Sequence, residues 1–285
     1  MKPTDVLTLP GGRRLCWHEF GDPGGSPVIY TSGTPVSGLS GASYDQPARA
    51  AGLRWIAPDK PGYGGSGYDR KRTLLSWADD LAALASHLQL GQFALAGESG
   101  GGPYTLAAAF RLAGRVTIST LIATGGPMDR AEREGQQLRI RLYGWLARNA
   151  PALNAVPFAK LRWSVATPER RERLLRGDLA ARPELDEADV RIEIEAVADA
   201  LRPGTRGAVQ EIAMIKRPWP FPLGEVATPV HLWHGARDTN APIAIARRIA
   251  GELPNAILHV CETSTHDVGH DRKDEIMSVI AAHVS

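Results

Sequence analysis

The chain has 285 residues, 43% of them apolar, which is enough to bury a sizeable core in one large domain carrying at most a smaller insertion, and too much for a disordered chain. Its 33 basic residues face 31 acidic ones, so the overall balance carries no footprint of a nucleic-acid partner or of an anionic membrane surface. The N-terminus "MKPTDVLTLPGG" lacks the apolar region of a secretory signal, and no apolar run is long enough to span a bilayer; the expectation is a soluble cytoplasmic protein.

In chain order, "DVLTLPGGRRLCWHEFGDPGG" predicts two strands joined by a tight Pro-Gly-Gly turn, a hairpin at a sheet edge. Short, continuously apolar runs follow: "PVIYTSG", "RWIAPD", "FALAGES", "TISTLIATGG", "PVHLWHG" and "AILHVCE", the pattern of strands covered on both faces. Helical spacing separates several of them, with Trp77, Leu81, Leu84 and Leu88 before Gly91, and Ile276, Val279 and Ile280 near the C-terminus. Such alternation predicts an α/β fold with a mostly parallel sheet of roughly eight strands and helices on both faces. Between Met128 and Arg217 the alternation breaks into Arg- and Glu-rich helical sequence, divided by Pro151, Pro157, Pro168, Pro183 and Pro203. Residues 1–127 and 218–285 are thus read as the core, and 128–217 as an inserted helical cap. Within it "PERRERLLRGDLAAR" interleaves acids with its arginines and reads as a solvated helix face. Cys16 and Cys261 are far apart, each in an apolar run, and are expected to be buried thiols.

One hydroxyl stands out. In "ALAGESGGGPYTLAAAF" Ser99 sits among glycines between an apolar strand and an alanine-rich helix, and Gly97-Glu98-Ser99-Gly100-Gly101 matches G-x-S-x-G, the sharp strand-to-helix turn that presents a nucleophilic serine. A serine hydroxyl needs a histidine base, and that histidine needs a carboxylate to fix its tautomer. Asp238 in "HLWHGARDTNAP" follows an apolar strand and a turn-forming glycine, where a loop acid reaches the sheet's C-terminal edge. Of eight histidines, His18, His87, His231, His234, His259 and His283 lie in strand, helix or tail positions that suit core or surface roles. His266 and His270 remain, and His266 is favoured because it directly follows the last strand's exit loop. Acyl transfer also needs oxyanion donors, for which the amides of Gly100 and of Thr34 in "YTSGTPVSG" are the candidates; Pro35 has no N–H.

These residues and the motifs "HGARDTNAP" and "APDKPGYGGSG" resemble an α/β-hydrolase-fold serine hydrolase of the esterase type, with Ser99, Asp238 and His266 in that family's chain order. The resemblance covers roughly residues 5–125 and 218–285; for the insertion it implies only that such chains often carry a helical cap. Ser32 stands where the family's oxyanion loop commonly begins with His-Gly, and Glu98 is an uncommon neighbour for the nucleophile, suited to a structural carboxylate or to meeting a cationic substrate group. The resemblance implies attack by Ser99 on a carbonyl, with His266 taking its proton, and hydrolysis of a small or medium carboxylic ester. Met128, Trp145, Trp163, Trp219 and Phe221 are candidate pocket residues from the cap and its flank, beside Glu98.

No cofactor or metal is expected, since H-E-x-x-H, paired C-x-x-C and G-x-x-x-x-G-K patterns are missing from the sequence. The expected partner is a small-molecule ester, with no nucleic acid and no membrane; the oligomeric state stays open. A proline-iminopeptidase-like aminopeptidase, a carbon-carbon bond hydrolase and an acyl transferase use the same three residues. A non-catalytic small-molecule receptor on this fold is the alternative of a different class.

Overall fold

The computed structural model describes residues 5–128, 132–182 and 185–284. Its eight strands form one sheet: β1 (Asp5–Thr8), β2 (Arg14–Gly21), β3 (Ser26–Thr31), β4 (Leu53–Pro58), β5 (Phe93–Glu98), β6 (Val116–Ile122), β7 (Val230–Gly235) and β8 (Ala256–Cys261). They lie side by side in the order β1-β2-β4-β3-β5-β6-β7-β8. The predicted hairpin forms β1 and β2, which run antiparallel to each other, and β2 is antiparallel to β4. From β4 onward every pairing is parallel. Gly11 and Gly12 supply the positive φ values that its tight turn demands.

Helices α1 (Asp45–Ala50), α2 (Leu74–His87) and α3 (Gly102–Arg111) cross between the early strands. Trp77, Leu81 and Leu84 put one face of α2 into a core of Leu15, Ile29, Ile56, Leu95 and Leu106. A second core of Val28, Tyr30, Tyr44, Trp55, Ala94, Ile118 and Ile122 takes Ile276 and Ile280 from the C-terminal helix. The sheet is therefore sandwiched, as burial on both faces of a continuously apolar strand requires. β8 departs from that expectation: it is the outer strand, and Ile257 and Val260 are exposed. Cys16 and Cys261 are both buried and unpaired.

Between β6 and β7 the chain forms α4 (Leu138–Asn149), α5 (Ala155–Ser164), α6 (Pro168–Ala181), α7 (Glu187–Ala200) and α8 (Arg206–Ile215). Pro168 opens α6 at the first helical position, where a missing N–H costs nothing. Pro183 lies outside the described residues. Val165, Leu175, Val190 and Ile194 make a small core of their own, and Ala200, Leu201 and Ala208 pack on Tyr63 from the loop after β4. The charged α6 stretch is laced by exposed pairs such as Arg176–Glu172 and Arg191–Glu172. Beyond β7 come α9 (Ile243–Glu252), α10 (Val268–Asp271) and α11 (Lys273–Ala281). Among the described residues no helix is long and apolar enough to cross a membrane.

Candidate active site

Ser99 begins a single 3-10 turn between β5 and α3, with φ at +50°, the left-handed region that residues with a Cβ avoid. The surrounding glycines are a packing requirement. A Cβ at Gly97 would lie 2.1 Å from Thr105 Oγ1, one at Gly101 2.0 Å from the Thr31 carbonyl oxygen, and one at Gly102 2.0 Å from Thr124 Oγ1. The turn is that tightly wedged between strands and helix, and the Gly125 amide clamps it by donating to the Ser99 carbonyl at 2.9 Å. A serine hydroxyl is thereby held out at the C-terminal edge of the parallel strands, where ligand sites of open α/β sheets lie.

His266 and Asp238 meet it there. His266 Nε2 is 3.0 Å from Ser99 Oγ, and His266 Nδ1 is 2.7 Å from Asp238 Oδ2. Asp238 is buried in the loop after β7, and its Oδ1 accepts the Asn240 and Ala241 amides at 2.8 and 2.9 Å. Burial works against its charge, but the hydrogen bond and charge of His266, with the Ala241 amide, prevail and hold the carboxyl below its ordinary range. With Asp238 ionised, Nδ1 carries the proton, and Nε2 is free to accept from Ser99. Burial alone would lower the His266 pKa; Asp238, with Glu98 and Asp267 beyond it, raises it above 6.5 instead. His234, read as a core residue, supports this loop. It is buried, with Nε2 2.7 Å from the Ala241 carbonyl and 3.5 Å from Asp238 Oδ2, and burial lowers its pKa. His270 does not approach Ser99 through a hydrogen bond; its Nδ1 lies 3.2 Å from Asp189.

The loop after β3 passes over Ser99. A Cβ on Gly33 would lie 3.3 Å from Ser99 Cβ, and one on Gly100 would lie 3.3 Å from the Thr34 amide nitrogen. Gly100 and Thr34 thus face each other beside Ser99. Ser32, in place of histidine, closes the loop by donating its hydroxyl to the Val36 carbonyl at 2.6 Å. From behind, the buried Lys60 ammonium donates to the carbonyls of Ser32 and Gly33, both at 2.8 Å, and to Glu211 Oε1 at 2.7 Å. Neither Lys60 nor Glu211 was singled out in the sequence; the only signal is that Lys60 follows Asp59 in "APDKPGYGGSG".

Ser99, His266, Gly33 and Thr34 line a cavity of about 200 Å³, together with Tyr30, Tyr44, Glu98, Glu193, Asp267 and His270 among others. Glu98 is pinned there as a hydrogen-bonded carboxylate, its Oε2 accepting the hydroxyls of Tyr30 and, at 3.3 Å, Tyr44. Burial, and the Glu98 charge beside them, push both phenols well above their ordinary range, which keeps them donors. Glu193, an exposed residue of α7, reaches the cavity without a hydrogen bond or ion pair among the described residues.

The five apolar candidates do not line this cavity. Met128 is buried in the main core, and Phe221 stacks between Phe110 and Trp219, at 5.6 and 5.9 Å. Trp145 is 57% exposed and Trp163 60% exposed, the latter covered by the Arg170 guanidinium at 3.8 Å. An aromatic residue in a helical insertion has several apolar surfaces to join, and these joined the core or the outer face.

His18, Asp59 and Asp199 bring one potential metal-ligating atom each within 4.8 Å of one another. Both Asp59 oxygens already accept backbone amides, from Gly38 and Gly65, and Asp199 pairs with Arg202, which accounts for the two carboxylates without an ion.

A sheet of this order with a serine elbow, an aspartate after β7 and a histidine after β8 defines a class, and comparison with known proteins agrees. The model of the alpha/beta hydrolase family matches residues 6–279, and the chain belongs to that family. A bromoperoxidase from Bacillus anthracis superposes with a TM-score of 0.73 at 18% identity, covering 98% of this chain and 99% of the other. An esterase from Exiguobacterium antarcticum gives 0.70 at 18% identity, covering 100% and 99%. A thermophilic esterase from Thermogutta terrifontis gives 0.65 at 21% identity, covering 99% and 96%. At such identities the likeness concerns the fold. Among curated proteins, the dihydrolipoyllysine-residue acetyltransferase component of the acetoin cleaving system of Pseudomonas putida is 38% identical over 117 residues, 41% of this chain and 31% of that protein. The chain therefore spans about a third of that relative.

Proposed function

We propose that the protein is a serine hydrolase that cleaves small carboxylic esters through an acyl-enzyme, with residues 128–217 acting as a cap. The observation that carries this reading is the continuous hydrogen-bonded line from Ser99 Oγ through His266 to Asp238, mounted on a positive-φ turn. Ser99 attacks the ester carbonyl while His266 Nε2 takes its proton; the oxyanion forms against the Thr34 and Gly100 amides; collapse expels the alcohol, which receives the proton from His266. Water repeats the sequence on the acyl-enzyme. A cavity near 200 Å³ lies below the usual range for ligand pockets, which favours a short acyl group.

The test is a p-nitrophenyl ester series from acetate to octanoate, run beside labelling with a fluorophosphonate. We expect acetate and butyrate to exceed octanoate in kcat/KM, and the label to map to the Ser99 peptide. Protein that binds the probe nowhere and turns over no ester fits a small-molecule receptor instead.

A second reading, hydrolysis of a substrate with a free amine, is favoured by one observation: Glu193, unpaired among the described residues, shares the Ser99 cavity with Glu98 and Asp267. An α-amino ester or a prolyl anilide added to the series decides it, since only this reading gives them the higher kcat/KM.

The base must be neutral to act, so kcat/KM should rise with pH through the His266 pKa, placed above 6.5 in the free enzyme. Glu98 is one of the charges raising it. Glu98→Gln should therefore move the acid limb of the kcat/KM profile to lower pH; a limb that stays put would remove Glu98 from the electrostatics of the base.

A further inference from the structure

We propose that the buried Lys60 ammonium polarises the peptide group between Gly33 and Thr34, strengthening the Thr34 N–H as an oxyanion donor, with Glu211 holding both partners in place. This rests on the serine-hydrolase reading, in which the Thr34 amide meets the oxyanion. Lys60 and Glu211 are both fully buried. The Lys60 nitrogen has three acceptors within 2.8 Å, the carbonyls of Ser32 and Gly33 and Glu211 Oε1. A neutral amine has two hydrogens for three acceptors, and an ammonium has three, so the geometry assigns the charged form.

Stability does not account for such a group. A buried ion pair can be replaced by apolar residues at little cost, and here the charge is spent on two consecutive carbonyls of the loop after β3. Those carbonyls are the relevant ones. The Gly33 oxygen and the Thr34 N–H belong to one peptide unit, and an ammonium bonded to the oxygen draws electron density away from the nitrogen, which makes its hydrogen a stronger donor. Among the described residues the Thr34 N–H has no acceptor, and it lies beside Gly100 next to the nucleophile.

Glu211 serves as the clamp. It accepts Lys60 and the Thr34 hydroxyl on the same oxygen, which fixes the Thr34 side chain beside Gly100. Its negative charge by itself would oppose an oxyanion. Lys60 offsets it, and Arg72, 3.9 Å from its other oxygen and fully buried, leaves the cluster net positive. Lys60 is on this account a positioning residue that acts through the Gly33–Thr34 peptide.

The experiment compares wild type with the paired variant Lys60→Met, Glu211→Leu, which removes one buried charge of each sign and leaves Arg72 hydrogen-bonded to the Pro61 and Gly207 carbonyls, and with Lys60→Arg. For the paired variant we expect kcat for p-nitrophenyl acetate to fall about 10–100-fold, less than loss of a whole oxyanion donor, with KM within about threefold. Affinity for a trifluoromethyl ketone, whose adduct carries the oxyanion, should fall by the same factor, and the Thr34 amide proton should move upfield in the NMR spectrum of the free protein. Lys60→Arg, keeping a cation at the carbonyls, should restore most of kcat and the Thr34 shift. Should the paired variant not fold, Lys60→Gln with Glu211→Gln keeps hydrogen-bonding amides without charge, and should lose about tenfold in kcat with the same upfield shift. A folded neutral variant with unchanged kcat, a rise in KM alone, or an unmoved Thr34 amide overturns the proposal. Failure of the serine-hydrolase reading would show separately, as wild type without ester turnover or probe labelling.

Discussion

Ser99→Ala is expected to lower kcat for p-nitrophenyl butyrate by about a millionfold, the scale on which removing the nucleophile disables a serine hydrolase. The reasoning is structural as well as chemical. Among the described residues the Ser99 hydroxyl alone is hydrogen-bonded to His266 Nε2, so the histidine would be left with water. The remaining shell is untouched, because an alanine methyl at this site makes no new contact. Any residual rate above background, about 10³–10⁴ over uncatalysed hydrolysis, would come from the Thr34 and Gly100 amides and from binding. Circular dichroism and thermal unfolding unchanged from wild type, beside a flat progress curve, are the expected readouts. A variant that keeps a tenth of the activity would move the nucleophile elsewhere.

Asp238→Asn should follow with a loss of about 10⁴ in kcat, by a different route. One Asp238 oxygen is committed to the Asn240 and Ala241 amides, so an asparagine would keep its carbonyl there and turn its NH₂ toward His266 Nδ1. Two donors cannot share that contact. Nδ1 must become the acceptor, which moves the imidazole proton to Nε2 and leaves nothing to accept from Ser99. Loss of the carboxylate charge also removes the main influence raising the His266 pKa. Asparagine and aspartate have the same heavy-atom skeleton and the two loop amides keep their acceptor, so unfolding should not accompany the loss. The double variant with Ser99→Ala should be no worse than Ser99→Ala alone, because the two residues act as one unit.

The sheet was legible because parallel strands covered on both faces read as unbroken apolar runs, and six such runs plus the glycine-turned hairpin account for the eight strands. Only β8 misled, since an edge strand built of the same residue types leaves Ile257 and Val260 in solvent. The turn at Ser99 was legible through its glycines, each of which answers to a specific neighbour within about two ångströms of an added Cβ. The cavity was not. Lys60 and Glu211 are 151 positions apart and Glu98 and Tyr30 are 68 apart, and nothing local in the chain records which buried polar group meets which. The insertion was least legible of all: α4 buries only Ala147 and α5 has no buried residue and a weak apolar face, so the sequence could not say where Trp145 on α4 and Trp163 on α5 would point.

The insertion is also unevenly fastened. Its last helix, α8, carries Glu211 into the cluster with Lys60, and its Gly207 carbonyl accepts from buried Arg72. Pulling α8 away would strand charges in a dry interior, whereas α5 could lift off at the expense of little more than partly buried contacts. In the hierarchy of local opening, α8 thus belongs energetically with the sheet although it follows four helices of the insertion, and the least protected amides should be sought in α5.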